Sequence, residues 1–224
     1  MFWKLRRDLF ALAVVSAIVV LALAYGPSLP ELVPSHFDLQ GNIDHYMPRT
    51  SFLLLIVGLT VGLYILLTFV PFVDPFWKRI QPRYHVLMLI RDIILGFVLV
   101  LFLLTIFAAR DGHISENMLG VSLGILFALI GNYLPRVPRN WFFGIRTPWT
   151  LASDVVWMKS HIVGGWMFFI SGVLTALLSL VGVGLQYVLL PTLLITVVVS
   201  GIVYPFLLHR RLQNEGAGIT PDRL

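Results

Sequence analysis

The chain has 224 residues, of which 58% are hydrophobic and 12% charged, about half the charged share of a soluble domain. A soluble domain of this size has no way to hide that much apolar surface, and the absence of cysteine excludes disulfides, thiolate metal sites and cysteine nucleophiles. The net charge of +5 does not point to nucleic acid, because the cations gather in alternate links between apolar runs.

Six runs are long and apolar enough to cross a bilayer: Leu9–Tyr25, Ser51–Val73, His85–Ala109, Met118–Leu134, Ile162–Val183 and Val188–Leu208. The expected fold class is therefore all-α, a polytopic integral membrane protein of six transmembrane helices. Lys4, Arg6 and Arg7 precede the first run. Lys78, Arg79, Arg83 and Arg91 surround the second link, and Arg136, Arg139, Arg146 and Lys159 fill the fourth. Arg210, Arg211 and Arg223 follow the last run, whereas the first and third links hold only Arg49 and Arg110. This positive-inside pattern predicts cytoplasmic termini. Trp3, Trp77, Trp141, Trp149, Trp157 and Trp166 fall on or near the same side, as a cytoplasmic aromatic belt would.

In chain order, Lys4–Arg7 with the following apolar run and Ala22-Leu23-Ala24 also fits a cleavable signal peptide, although the run is long for one. The expectation is an uncleaved first span. Pro27, Pro30, Pro34 and Pro48 exclude a continuous helix in the first outer loop, and Gly41-Asn42 is a turn signal for a small hairpin. Glu31, His36, Asp38, Asp44 and His45 are residue types that suit zinc, but no i, i+4 spacing fixes them. A solvated loop without metal is expected there, and no cofactor is expected anywhere.

The second span carries Gly58-x-x-x-Gly62, and the fourth carries Gly120, Gly124, Ala128 and Asn132 at spacing four. Both read first as packing faces, with self-association of the chain as the alternative. The link "DPFWKRIQPRYH" reads as an interfacial anchor. Arg91 and Asp92 are expected to snorkel to the headgroups rather than pair in the interior. The spans otherwise lack ionisable residues at mid-depth, which counts against ion-coupled carriers. No Ser-His, paired-aspartate or H-E-x-x-H arrangement lies in a span, which counts against intramembrane proteases.

The fourth link is the most specific segment. Pro135 and Pro138 end the fourth span, Gly144 permits a tight bend, and Thr147-Pro148 has the form of an N-cap followed by proline at the first helical position. Ser153-Asp154 offers a second helix start. Arg146 is placed to meet a phosphate, a helix carboxyl end or a partner's carboxylate. From residue types alone, the simplest reading is an interfacial turn with an anchoring arginine.

The run "GNYLPRVPRNWFFGIRTPWTLASDVVWMKSHIVGG" closely resembles the signature of the SdpI/YfhL family, immunity proteins against a sporulation-delaying peptide toxin. The matching residues are Gly131-Asn132, Pro135, Asn140, Phe143 to Leu151, Trp157 and His161-x-x-Gly164. Upstream, Pro34-x-His36-Phe37-x-x-x-Gly41-x-x-Asp44 resembles the DUF1648 module that often precedes that region. Together the two resemblances cover the chain from Pro34 to about Leu208.

The resemblance implies a multi-pass bacterial cell-membrane protein that is not an enzyme. It implies protection from an extracellular peptide toxin and recruitment of a cytoplasmic transcriptional repressor, with no direct nucleic-acid contact. It also implies two regions in one membrane unit, a DUF1648-like module over 1–84 and an SdpI-like region over 85–224. Asn132, Arg146, Trp149, Trp157 and His161 are the expected partner-binding residues. Pro34, His36, Phe37, Gly41 and Asp44 form the expected outer-loop motif. The alternative reading is a transporter or exporter of small molecules or peptides. A more remote one is a membrane enzyme with metal on His36, Asp44, His45 and His113.

Overall fold

Apolar runs of this length satisfy their own backbone as helices, and the six expected spans form. The computed structural model describes residues 5–215, so Trp3, Lys4 and Arg223 lie outside the described residues. Among the described residues six helical segments are long and apolar enough to cross a membrane: Asp8–Ser28, Arg49–Val73, Trp77–Arg110, Glu116–Arg136, Asp154–Leu180 and Leu185–Asn214. Most of their surface faces outward, with Leu23 74% and Leu54 70% exposed, as lipid-facing side chains are.

Helix α1 (Leu5–Tyr25) leads through a turn at Gly26–Ser28 to an antiparallel hairpin of β1 (Leu32–Phe37) and β2 (Ile43–Pro48). Asp38 builds the hairpin turn. Its Oδ1 accepts from the N–H groups of Gln40 and Asn42, its Oδ2 accepts from Asn42 Nδ2, and Gly41 follows at φ +80°. The Asn42 side chain, with the turn N–H groups behind it, holds the Asp38 carboxyl below its ordinary range. Strand β2 runs directly into α2 (Arg49–Phe69), and Arg49 donates to the carbonyls of Pro27 and Leu29, tying the hairpin base to the end of α1.

A kinked link of short turns carries α3 (Trp77–Ile80) into the long α4 (Tyr84–Asp111). Ala11, Val14 and Ile18 of α1, Phe52 of α2, Val33 of β1, and Leu95 and Phe102 of α4 form one core. The hairpin turn rests on the start of the next helix pair, where the Ile114 N–H donates to the Gly41 carbonyl at 3.3 Å.

Arg91 departs from its expectation. It does not snorkel; its side chain is fully buried. Its guanidinium reaches Asp8 of α1 at 2.6 Å, Thr68 Oγ1 of α2 at 2.8 Å, and Asp92 of its own helix at 2.8 and 2.9 Å. Three helices supply the acceptors that water or headgroups would otherwise supply, so the charge remains inside.

Helix α5 (Glu116–Tyr133) and α7 (Asp154–Leu180) pack backbone to backbone. A Cβ on Gly124 would strike the Gly172 carbonyl and the Ala176 N–H; one on Gly131 would strike Gly165 and Phe169; one on Gly120 would strike Ser179. The packing face expected on the fourth span is therefore present, with Gly131 in place of Asn132 at its far end. Gly58 and Gly62 depart from their expectation: a Cβ on either meets nothing within 4 Å, because that face of α2 points away from the bundle.

The last span is not one regular helix. Helix α8 (Leu185–Val197) carries Pro191, passes through a wide π turn at Val198–Val203, and continues as α9 (Tyr204–Asn214). Pro205 removes one N–H and crowds the preceding turn, and the wide turn accommodates both effects. A hydroxyl pair, Ser171 to Thr196 at 2.8 Å, joins α8 to α7.

Two predictions follow from this packing. Gly172→Leu overpacks the α5–α7 seam and lowers stability by about 1–3 kcal/mol or more. Gly58→Leu changes it by less than about 0.5 kcal/mol. Thermal unfolding of both variants in detergent checks the contrast, and equal losses would refute it. Arg91→Ala strands Asp8 and Asp92 in the interior and costs about 3–5 kcal/mol in the same measurement.

Candidate functional site

The segment from Leu134 to Ser153 joins α5 to α7, and little of it is helical. A chain leaving the membrane here must still pair its backbone, and side chains perform that task. Asn140 is fully buried and uses its whole amide. Its Oδ1 accepts from the N–H groups of Phe142 and Phe143 at 2.8 and 2.6 Å, and its Nδ2 donates to the carbonyls of Pro138 and Phe143 at 2.8 and 3.0 Å. The loop around Trp141 is thus closed upon one side chain.

The second brace is His161, also fully buried, two turns into α7. Nδ1 lies 2.8 Å from the Trp157 carbonyl, and the Ile145 N–H donates to Nε2 at 3.0 Å. A carbonyl can only accept and an N–H can only donate, so the geometry assigns the proton to Nδ1. Gly144, at φ +99°, lies against this ring, and a Cβ there would strike Nε2. Gly164, one turn past His161, leaves room for the Ile145 side chain; a Cβ would meet its Cδ1 at 2.5 Å. The H-x-x-G spacing therefore holds one residue twice, its backbone by His161 and its side chain beside Gly164.

Trp157 stacks on the His161 ring at 4.0 Å and donates from Nε1 to the Val137 carbonyl at 2.9 Å. Further on, Thr147 caps the short helix α6 (Pro148–Ala152) through a reciprocal pair with Thr150, and Ser153 caps α7. Both helix starts legible in the sequence are used in succession. Trp149 of α6 meets Phe206 of α9 edge-on at 5.3 Å.

The link is also tied to the α2–α4 connection. Asp74 accepts from the N–H of Phe76 through one oxygen and from the N–H of Trp141 through the other, both at 2.7 Å. Asp154, the first residue of α7, contacts Arg79 at 2.6 Å and Arg139 at 3.0 Å.

The expected partner-binding residues separate into three groups. Trp157 and His161 are internal braces. Arg146 is exposed and donates to the Trp141 carbonyl at 2.7 Å, beside exposed Trp141 and Phe142, while Trp149 is half-buried against α9. Asn132 stands apart from them, exposed on α5 in a recess with Arg136, Gly165 and Trp166. Sequence reasoning named Asn140 and Thr150 only as signature residues and Asp154 only as a helix start, and it gave Asp74 no role. The signal for Asn140 was its residue type, since asparagine in a loop favours closing its own backbone.

At the opposite end, the outer-loop motif is brought together by the hairpin. His36 Nδ1 lies 2.7 Å from Asp44 Oδ1 across the strands, Pro34 is buried, and Phe37 packs toward Leu104, Ala108 and Ile114. Gly41 has no room for a side chain, because a Cβ would strike the Ile114 carbonyl. Among the described residues no three histidine or carboxylate side chains gather where they would hold a metal.

Asn140→Asp replaces two donors with acceptors facing the Pro138 and Phe143 carbonyls. The substitution leaves both carbonyls unpaired and costs about 2–4 kcal/mol. Faster tryptic cleavage after Arg146 in the folded protein is the expected readout; an unchanged cleavage rate would refute the bracing role.

Comparison with known proteins places these features. The model of the SdpI/YfhL protein family matches residues 136–208, which begin with the braced link and run through α6, α7 and α8 into α9. The model of a domain of unknown function, DUF1648, matches residues 12–61, covering most of α1, the hairpin and half of α2. The chain is 21% identical over 176 residues to "Immunity protein SdpI" of Bacillus subtilis (strain 168), spanning 78% of this chain and 82% of that protein. No solved structure matches. The six membrane-crossing helices and these matches describe a multi-pass bacterial membrane protein. The chain thus resembles the SdpI/YfhL family over its link and last two spans, with a DUF1648-like stretch upstream, in the order the two sequence resemblances have.

Proposed function

We propose that this chain is a non-enzymatic immunity and signalling protein: it protects a bacterium from an extracellular peptide toxin, and its link engages a cytoplasmic transcriptional repressor. The carrying observation is the family-matched link itself. Its backbone is pinned by Asn140, His161, Trp157 and Thr150, while Arg146, Trp141 and Phe142 remain exposed. A rigid scaffold that displays an arginine beside aromatics has the composition of an interaction anchor. The charge pattern supports a cytoplasmic link and cytoplasmic termini, since Lys78, Arg79, Arg83, Arg136, Arg139, Arg146 and Lys159 lie at or near the link end. The hairpin then faces the medium from which a toxin arrives. Recognition at one end changes the other only if toxin favours one arrangement of the helices over another.

The test is survival of toxin-sensitive cells that lack their own immunity gene, titrated with the sporulation-delaying peptide. The intact chain is expected to protect. Arg146 makes one surface bond to a carbonyl, so Arg146→Ala leaves the fold in place. It is expected to weaken repressor recruitment on the order of tenfold, the scale of one charge-assisted contact. Failure of the correctly inserted chain to protect overturns the immunity reading. Repressor recruitment that ignores both toxin and Arg146→Ala overturns the signalling half.

A further inference from the structure

A groove of about 590 Å³ opens between the two halves of the bundle. Its walls include Leu89, Asp92, Gly96 and Val100 of α4 and Ser122 and Tyr133 of α5. From Leu89 to Val100, and equally from Ser122 to Tyr133, a helical rise of 1.5 Å per residue gives about 16 Å. Half of a 30 Å hydrocarbon core is about 15 Å. Tyr133 ends α5 at the link side, so the groove spans one leaflet, the one on that side.

Size and chemistry select the occupant. A helix with side chains is about 10 Å across, whereas α4 and α5, which form the walls of this groove, are themselves in contact. An extended peptide would leave its N–H and C=O groups unpaired in hydrocarbon. A single acyl chain meets neither obstacle. The charged side chain on the wall is Asp92, which keeps 14% of its exposure while its Oδ1 takes two bonds from Arg91. Behind it, Asp8 shares the same guanidinium, and its Oδ2 is buried with no hydrogen-bond partner. Two carboxylates thus share one guanidinium, which among the described residues leaves a formal excess of one negative charge beside the groove. A primary ammonium brings three donors to such a site. A choline headgroup brings none, and a phosphoglycerol headgroup brings further negative charge.

We propose that this groove binds an aminophospholipid from the link-side leaflet, with one acyl chain along α4 and α5 and the headgroup ammonium at the Asp92 carboxylate. Gly96 gives a clean way to close the groove. A Cβ there comes no nearer to any atom than 3.9 Å from Phe10 Cζ, so a larger side chain enters the groove without disturbing backbone.

The experiment uses the full chain in detergent, titrated with phosphatidylethanolamine, phosphatidylcholine and phosphatidylglycerol of identical chains, with bound lipid read by native mass spectrometry. The wild type is expected to retain the ethanolamine lipid about tenfold better than the other two, the scale of one charge-assisted hydrogen bond. Gly96→Leu is expected to lose all three. Asp92→Asn is expected to keep binding lipid but lose the preference, and if it fails to fold, Gly96→Leu and the wild-type preference still decide. Equal retention of the three lipids by the wild type, or undiminished ethanolamine-lipid binding in folded Gly96→Leu, overturns the proposal.

Discussion

A charge inside a membrane domain must find its partners within the protein, and Arg91 shows how much structure that requirement organises. Its guanidinium draws the start of α1 through Asp8 and the end of α2 through Thr68 onto α4. Tyr84 adds to the same junction by donating to the Thr68 carbonyl, so the end of α2 is held twice. The apolar core of Ile18, Leu95 and Phe102 gives these helices a reason to associate, but apolar packing alone tolerates sliding. Bonds from one planar donor to three helices do not, and they fix rotation and register together.

The other half of the molecule solves a different problem by different means. Helices α5 and α7 have no charged clasp between them; they approach because Gly120, Gly124, Gly131, Gly165 and Gly172 remove the side chains that would hold them apart. Lipid gives no hydrophobic reward for helix association, so close backbone contact has to supply the attraction. The closely packed seam then serves as the base for the link. His161 and Gly164 lie on the part of α7 nearest the link, and they can hold Ile145 only because α7 is itself fixed against α5.

Much of this was legible in the sequence because it depends on local chemistry. The six spans follow from apolar length, the hairpin from prolines around Gly41-Asn42, and the helix starts from Thr147-Pro148 and Ser153-Asp154. What escaped depends on partners far away in the chain. Nothing near Arg91 announces that Asp8 and Thr68 will reach it, so a preference for headgroups was the natural reading and proved wrong. Gly58-x-x-x-Gly62 and Gly120-x-x-x-Gly124 are the same pattern, yet only the second has a neighbour, because spacing describes a face without saying what meets it. Asn140 escaped for a related reason: its type favours a closed loop, but only the folded link shows that a single amide closes all of it.

The two halves share an apolar core at the link end, where Ile80, Tyr84 and Leu87 pack with Leu134, Val137, Phe143 and Trp157. Within the first, a buried guanidinium fixes three helices, and within the second, backbone touches backbone. Beside that core, α4 and α5 leave an open groove along one leaflet. Rigid bodies move where their mutual packing is weakest, since packed interfaces shift between discrete arrangements rather than deform. Hydrogen bonds cross between the halves at both ends of that groove. The Gly41 carbonyl binds the Ile114 N–H at the hairpin end, and Asp74 binds the Trp141 N–H at the link end. Any rearrangement that opens or closes the groove must therefore strain the hairpin contact and the link contact together.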